Sequence, residues 1–129
     1  MGVKSRRDRK QSTDILPLVH SLEKIVEQTA GLPQVYKEDL RFGDLVLITT
    51  RNSLYSIYAL EDSLYLVSGG WFDRKRVSPA KTTIAGCTFG GRVIKSDIVA
   101  ACGLRLEFGN RVVTTPIQKV CVIRLGSQN

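Results

Sequence analysis

Two glycine-marked turns, Gly90-Gly91 and Gly109-Asn110, interrupt the stretch from Gly86 to Val122. The segments between them are short and rich in Val, Ile, Leu, Phe and Thr, residue types that favour strands. Short segments of this composition, separated by tight turns, are typical of consecutive antiparallel strands. The stretch therefore predicts an antiparallel β unit, and we expect the rest of the chain to fold around it.

The segment 104–108 alternates apolar Leu and Phe with charged Arg and Glu, so one face of this strand is predicted to be buried. The Gly109-Asn110 pair is expected to supply the positive φ angles that a tight turn needs. A two-residue loop would place Leu106 opposite Val113, with Val113 on the core face. A three-residue loop would pair Phe108 with Val112 instead. A shift of one residue exchanges the two faces of a strand, and both registers remain open at this point.

Similar short patterns recur on both sides of this unit. Three of them, joined by tight turns, predict a meander of consecutive strands, and Pro116 is expected to interrupt pairing before the last strand. The predicted strands are residues 45–50, 54–60, 64–68, 82–88, 93–94 and 120–125, with residues 97–102 either a strand or irregular.

The chain before residue 43 has a different character. Residues 1–12 form a basic arm that is predicted to be disordered, and residues 13–31 are predicted to form one helix, which Gly31 and Pro33 end. We expect its apolar face to pack on the β domain or on the same helix of a second chain. The apolar residues with the spacing of an amphipathic helix are Ile15, Leu18, Val19, Leu22, Ile25 and Val26.

The predicted fold is mainly β. The 129 residues suffice for one domain, and they combine seven or eight strand patterns with a single helical pattern. We expect a small antiparallel β-barrel or curled sheet over residues 43–125, with one N-terminal amphipathic helix that belongs to the same domain.

Several classes of protein are disfavoured by composition. No run of about 18 apolar residues is present, so no membrane span is predicted, and no apolar segment of a secretory signal follows the charged N-terminus. Cys87, Cys102 and Cys121 each lie in an apolar, strand-like context, so they are expected to be buried, reduced thiols of a cytoplasmic protein. No cofactor or zinc site is predicted, because no C-x-x-C pair occurs and the single histidine, His20, lies in the helical segment.

An enzyme is not predicted either. Nucleophilic catalysis needs a titratable base beside the nucleophile, and His20 lies far from any loop cluster in the sequence. Cys87 would be a nucleophile only if a cation lowered its pKa. The glycines between Gly86 and Gly91 superficially resemble a phosphate-binding loop. The Lys and Ser/Thr ending of such a loop is missing, so a hairpin turn or bulge is favoured.

Positive charge is concentrated at the start of the chain. The net charge is +7, of which the first ten residues carry +4, because they hold five cations and one acid. Such an arm either serves as a solubilising tail or binds a polyanion by simple charge. The arm residues predicted to contact phosphates are Arg6, Arg7, Arg9 and Lys10.

The segment from Trp71 to Lys81 is predicted to be the longest irregular stretch inside the domain. It combines flat side chains, which can stack on bases, with cations, which can contact phosphates. In the alternative, Trp71 and Phe72 pack into the β domain and leave the cations as a solvated rim. The residues predicted to bind nucleic acid here are Trp71, Arg74, Lys75, Arg76 and Lys81.

The sequence therefore favours a small, non-enzymatic binding module that leans toward sequence-independent binding of nucleic acid or another polyanion. The alternative is a self-associating or protein-partner-binding β module with no nucleic-acid role. The amphipathic helix and the strands with two apolar faces support this alternative, since a symmetric dimer or ring would cover both.

Overall fold

The computed structural model describes residues 21–89 and 93–124. The chain divides into two compact units, Met1–Ala30 and Gly31–Asn129. In the first unit, residues 21–28 form helix α1, and the Thr29 N–H donates to the Ile25 carbonyl at 2.9 Å. The predicted arm, residues 1–12, and the first part of the predicted helix, residues 13–20, lie outside the described residues.

Within the described residues, the second unit contains ten short strands, a 3₁₀ turn and a short helix. They are β1 (Gln34–Tyr36), the 3₁₀ turn (Lys37–Asp39), β2 (Leu45–Thr50), β3 (Leu54–Ala59), β4 (Tyr65–Gly69), α2 (Gly70–Arg74), β5 (Ala80–Thr82), β6 (Ile84–Thr88), β7 (Ile94–Lys95), β8 (Ile98–Ala101), β9 (Arg105–Phe108) and β10 (Ile117–Ile123).

The strands form three antiparallel sheets. The largest has the order β10-β2-β3-β4-β5, the second has the order β7-β6-β9, and β1 pairs with β8 in the third. The prediction of a mainly β, antiparallel fold is confirmed, and the predicted meander is present as β2, β3 and β4. The last strand begins at Ile117, three residues before the predicted start at Val120.

Of the two predicted forms, the closed barrel is wrong, because the described residues do not close any sheet on itself, and the curled sheet stays a prediction. The five-stranded sheet ends at β5, which has only three residues and follows Pro79. Proline lacks the N–H that a further ladder bond would need. Beyond β5, the connection to the second sheet includes a backbone bond from the Gly109 N–H to the Thr83 carbonyl at 2.8 Å. The backbone ladder therefore does not continue directly from the five-stranded sheet into the three-stranded sheet.

The hydrophobic core contains residues from all three sheets. On β3 and β4, alternate side chains are buried, as the period of a strand requires. Phe72 of α2 is completely buried, and its ring centroid lies 6.5 Å from that of Tyr55 on β3 and 5.0 Å from that of Phe108 on β9. Both pairs are edge to face, an arrangement that aromatic rings favour. Phe72 therefore joins the five-stranded sheet to the three-stranded one.

The hairpin after β9 takes the three-residue loop. The Phe108 N–H donates to the Val112 carbonyl at 2.9 Å, and Val113 is left exposed. The expectation of positive φ angles at Gly109-Asn110 is wrong, because the positive φ in this turn, 74°, belongs to Arg111. Gly109 meets a different requirement. A Cβ at Gly109 would overlap the Thr83 side-chain oxygen, so a side chain there would require the Thr83 side chain to move.

The expectation that residues 71–81 are irregular is also partly wrong. Their first residues belong to α2, and Lys81 lies in β5. The helix begins at the glycine pair, where Gly69 has a φ of 98° and Gly70 a φ of 47°. A Cβ at Gly69 would overlap the backbone carbonyl oxygen of Leu54, so this glycine is required for both conformation and space.

The requirement at Gly69 is testable by substitution. Gly69→Ala should lower the free energy of unfolding by about 3 kcal/mol or more, because it adds a backbone clash to an unfavourable φ. Gly103→Ala is the matched control, since Gly103 has a similar φ of 88° but open space around a Cβ. It should cost only about 1–2 kcal/mol. Urea unfolding followed by tryptophan fluorescence measures both, and equal losses would contradict the clash.

Candidate nucleic-acid interface

The short helix α2 is held by two contacts, one at its start and one in its middle. At its start, the Asp73 carboxylate accepts a hydrogen bond from the Gly69 N–H at 3.0 Å. An acid in the first turn suits the partial positive charge of a helix N-terminus. In its middle, Phe72 is anchored in the core. The orientation of α2 is therefore set by the burial of Phe72 together with the hydrogen bond between Asp73 and Gly69.

The helix ends in a Schellman motif. The Arg76 N–H donates to the Asp73 carbonyl at 3.0 Å, and the Val77 N–H donates to the Phe72 carbonyl at 2.9 Å. This motif needs a left-handed residue after the helix, and glycine usually takes that position. Here Arg76 takes it, with a φ of 61°. A non-glycine residue in this conformation costs roughly 1–2 kcal/mol.

Three consecutive cations, Arg74, Lys75 and Arg76, surround this helix end, and we call them the cationic turn. All three are exposed. In the part of the chain that the structure describes, none of them forms an ion pair or a side-chain hydrogen bond. The Asp73 carboxylate beside them is instead bonded to Gly69 and Ser78. The cationic turn is therefore a patch of exposed cations without ion-pair partners among the described residues.

The other predicted site residues are placed differently. Lys81 is exposed on β5, at the edge of the five-stranded sheet. Trp71 is half-buried on α2, with its ring edge to face with that of Phe72 at a centroid distance of 5.2 Å. Of the two aromatic residues expected as a possible plug, Phe72 fills the core and Trp71 lies at its margin. The predicted arm residues Arg6, Arg7, Arg9 and Lys10 lie outside the described residues.

Sequence reasoning missed two residues of this region. Asp73 Oδ1 accepts a hydrogen bond from the Ser78 hydroxyl at 2.5 Å in addition to the one from Gly69. The two partners lie on opposite sides of the cationic turn in the chain, so one carboxylate oxygen connects its two ends. A sequence signal exists only as an acid in the first helical turn, which is too common to identify this contact.

The cysteines are free, but they are not all buried. Burial raises the pKa of the Cys87 thiol to about 11, although a backbone hydrogen bond and the charge of Lys37 lower it. Burial also raises the pKa of Cys121. The expectation of a buried Cys102 is wrong: it is exposed, because it lies in the turn just beyond β8. Among the described residues, no three His, Cys, Asp or Glu side chains cluster as metal ligands would.

In the glycine-rich segment after β5, Gly86 allows two strands to approach closely. Gly86 lies in β6 with a φ of 140°, and a Cβ there would overlap the Lys95 carbonyl oxygen on β7. Thr88 pairs with Ile94, so β6 and β7 form a hairpin. Residues 90–92, which would form the rest of a phosphate-binding loop, lie outside the described residues.

Comparisons with known proteins add no functional information. No protein-family model matches this chain, and neither the curated proteins nor the solved structures gave a match. Within the described residues, no helix has the length and apolar character needed to cross a membrane.

The thiols give a testable prediction about reactivity. At pH 8, a pKa of about 11 leaves roughly one Cys87 in a thousand as the reactive thiolate. Under native conditions, a thiol reagent should modify exposed Cys102 first and Cys87 much more slowly. Raising the pH toward 11 should accelerate labelling of Cys87. Mass spectrometry of digests locates the label, and Cys102→Ser should remove the fast phase. Rapid native labelling of Cys87 at pH 8 would revive the nucleophile hypothesis.

Proposed function

We propose that this protein is a small binding module that holds nucleic acid without sequence specificity and without catalysis. The observation that carries the proposal is the cationic turn: three consecutive exposed cations on a fixed backbone, with no ion-pair partner among the described residues. Cations in this state can neutralise phosphates and release the counterions that surround a nucleic acid. This contribution to affinity does not depend on base sequence.

The conformation of Arg76 also supports the proposal. Glycine would fit the left-handed position without strain, and it would remove a charge from a patch that already repels itself. Arg76 therefore lowers stability in two ways and adds one exposed cation. Local strain of this kind concentrates at functional sites.

Two further features extend the proposed interface. Trp71 lies on the same short helix as Arg74 and is only half-buried, so its indole is available to stack on an unpaired base. The sequence adds the cations of the arm, which we propose as further phosphate contacts. These arm cations are Arg6, Arg7, Arg9 and Lys10. Lys81 is included as a phosphate contact from β5.

A cytoplasmic location and the lack of catalysis are parts of the same proposal. All three cysteines are free, which suits a reducing compartment. The buried Cys87 thiol has a pKa of about 11, which makes it a poor nucleophile near neutral pH.

Charge reversal tests the proposal directly. The triple variant R74E/K75E/R76E should bind a fluorescein-labelled single-stranded oligonucleotide at least about tenfold more weakly than the unmodified protein. The plot of log affinity against log salt should also become shallower by about 2, because each phosphate contact to a single strand contributes about 0.7. Fluorescence anisotropy over a range of salt concentrations measures both quantities.

A matched control separates local from overall charge. The triple variant R41E/R51E/K95E reverses three other exposed cations, so both triple variants change the net charge from +7 to +1. The control should retain most of the affinity and most of the salt slope. Equal losses in the two variants would reject the cationic turn as the site. No binding by the unmodified protein at low salt would reject the function.

Arg76→Gly is expected to raise the free energy of unfolding and to lower the affinity for nucleic acid. The protein should gain about 1 kcal/mol in free energy of unfolding, because glycine relieves the left-handed strain. It should also bind the oligonucleotide more weakly, because one phosphate contact is lost. Thermal or urea unfolding and the anisotropy titration provide the two readouts. If Arg76→Gly both stabilises the protein and leaves binding unchanged, Arg76 is not part of the interface.

The second candidate function is self-association or binding of a protein partner. It is favoured by Phe89 and Val93, which are 80% and 76% exposed at the ends of the β6–β7 hairpin. Large apolar side chains this exposed are typical of interaction surfaces when they lie together. A dimer in sedimentation experiments, together with no affinity for nucleic acid at low salt, would favour this candidate over the first.

A further inference from the structure

Asp73 is an acid that directly precedes the cationic turn. By charge alone, it should weaken any interaction of this surface with phosphates. Its position is nevertheless fixed by two hydrogen bonds to the same oxygen, Oδ1. The Gly69 N–H donates to it at 3.0 Å, and the Ser78 hydroxyl donates to it at 2.5 Å.

The bond to Gly69 replaces a missing strand partner. The ladder between β4 and β5 ends where Val67 pairs with Ala80, so Gly69 extends beyond the end of β5. A buried N–H without an acceptor would be costly. The Asp73 carboxylate supplies the acceptor that β5 does not, and it thereby holds the start of α2 against the end of β4.

The bond to Ser78 closes the cationic turn from the other side. Ser78 follows the turn, and Asp73 directly precedes it. The Asp73 carbonyl also accepts a hydrogen bond from the Arg76 N–H at 3.0 Å. The backbone of Asp73 therefore holds Arg76, and its side chain holds Ser78. A segment closed in this way has fewer conformations to lose when it binds.

We propose that Asp73 is a positioning residue for nucleic-acid binding: its carboxylate preorganises the cationic turn so that the three cations meet one strand together. This inference rests on the proposed function. It makes a prediction opposite in sign to that of simple electrostatics, in which loss of a nearby negative charge strengthens binding.

The test compares Asp73→Asn, Asp73→Ala and Ser78→Ala in the anisotropy titration with the labelled single-stranded oligonucleotide. The two Asp73 variants have the same net charge, +8 instead of +7. The asparagine retains an oxygen that can accept both hydrogen bonds, whereas alanine retains none. Asp73→Ala should therefore bind at least about threefold more weakly than Asp73→Asn, and more weakly than the unmodified protein, with a smaller salt slope.

Ser78→Ala supplies a variant without any change in charge. It removes one of the two hydrogen bonds and should weaken binding by about twofold to threefold. Circular dichroism and thermal unfolding check that each variant is folded. If Asp73→Ala fails to fold, Ser78→Ala alone decides the question, because it leaves the bond to Gly69 intact.

The outcomes separate the inference from the function on which it rests. If the unmodified protein binds but Asp73→Ala binds as tightly as Asp73→Asn, the positioning role is overturned and the proposed function stands. Unchanged affinity of a folded Ser78→Ala would overturn it in the same way when Asp73→Ala cannot be measured. No binding by the unmodified protein at low salt would remove both.

Discussion

The edge-to-face contact between Phe72 and Phe108, with ring centroids 5.0 Å apart, connects the helix between β4 and β5 to the three-stranded sheet. Phe72 lies between two sequence segments that are far apart, β3 through Tyr55 and β9 through Phe108. Burial of a phenylalanine stabilises a fold by roughly 1.5–3 kcal/mol, and an aromatic pair adds about 0.5–1.5 kcal/mol. Because Phe72 is part of α2, the same contact also fixes the helix whose C-terminal end leads into the cationic turn.

The surface chemistry of this region follows from that anchoring. The Gly69-Gly70 pair permits the chain to turn sharply after β4, and Phe72 then enters the core. The residues immediately after Phe72, from Asp73 to Arg76, are exposed, and the Schellman motif ends the helix there. The cationic turn thus lies at the exposed end of a short helix that Phe72 anchors in the core.

Much of the β architecture could be predicted from the sequence, because strand alternation and turn residues are local signals. The meander of β2, β3 and β4 is the clearest example. Helix α2 could not be predicted, since five residues are too few to show a helical period. The left-handed conformation of Arg76 has no signal in its residue type, and it arises from the hydrogen bonds around Asp73.

Cys102 and the barrel illustrate a second limit. The apolar residues before Cys102 left a strand or an irregular segment open, and the structure shows strand β8 there. The buried run ends at Ala101, one residue before Cys102, and composition does not reveal that boundary. A closed barrel and an open sheet contain the same local strand patterns, and they differ only in whether the last strand finds a partner. Here the five-stranded sheet ends at β5, a strand of three residues.

The short edge strand β5 has a consequence when several copies of the protein bind next to one another on one nucleic acid. Nucleic acid bound without sequence preference would bring several copies of the protein close together, where an open sheet edge invites pairing between neighbours. Pro79 offers no donor at one end of β5, Gly109 already occupies the carbonyl of Thr83 at the other, and charged Lys81 lies between them. If neighbouring copies approached each other at β5, this edge would therefore resist sheet extension from one protein into the next.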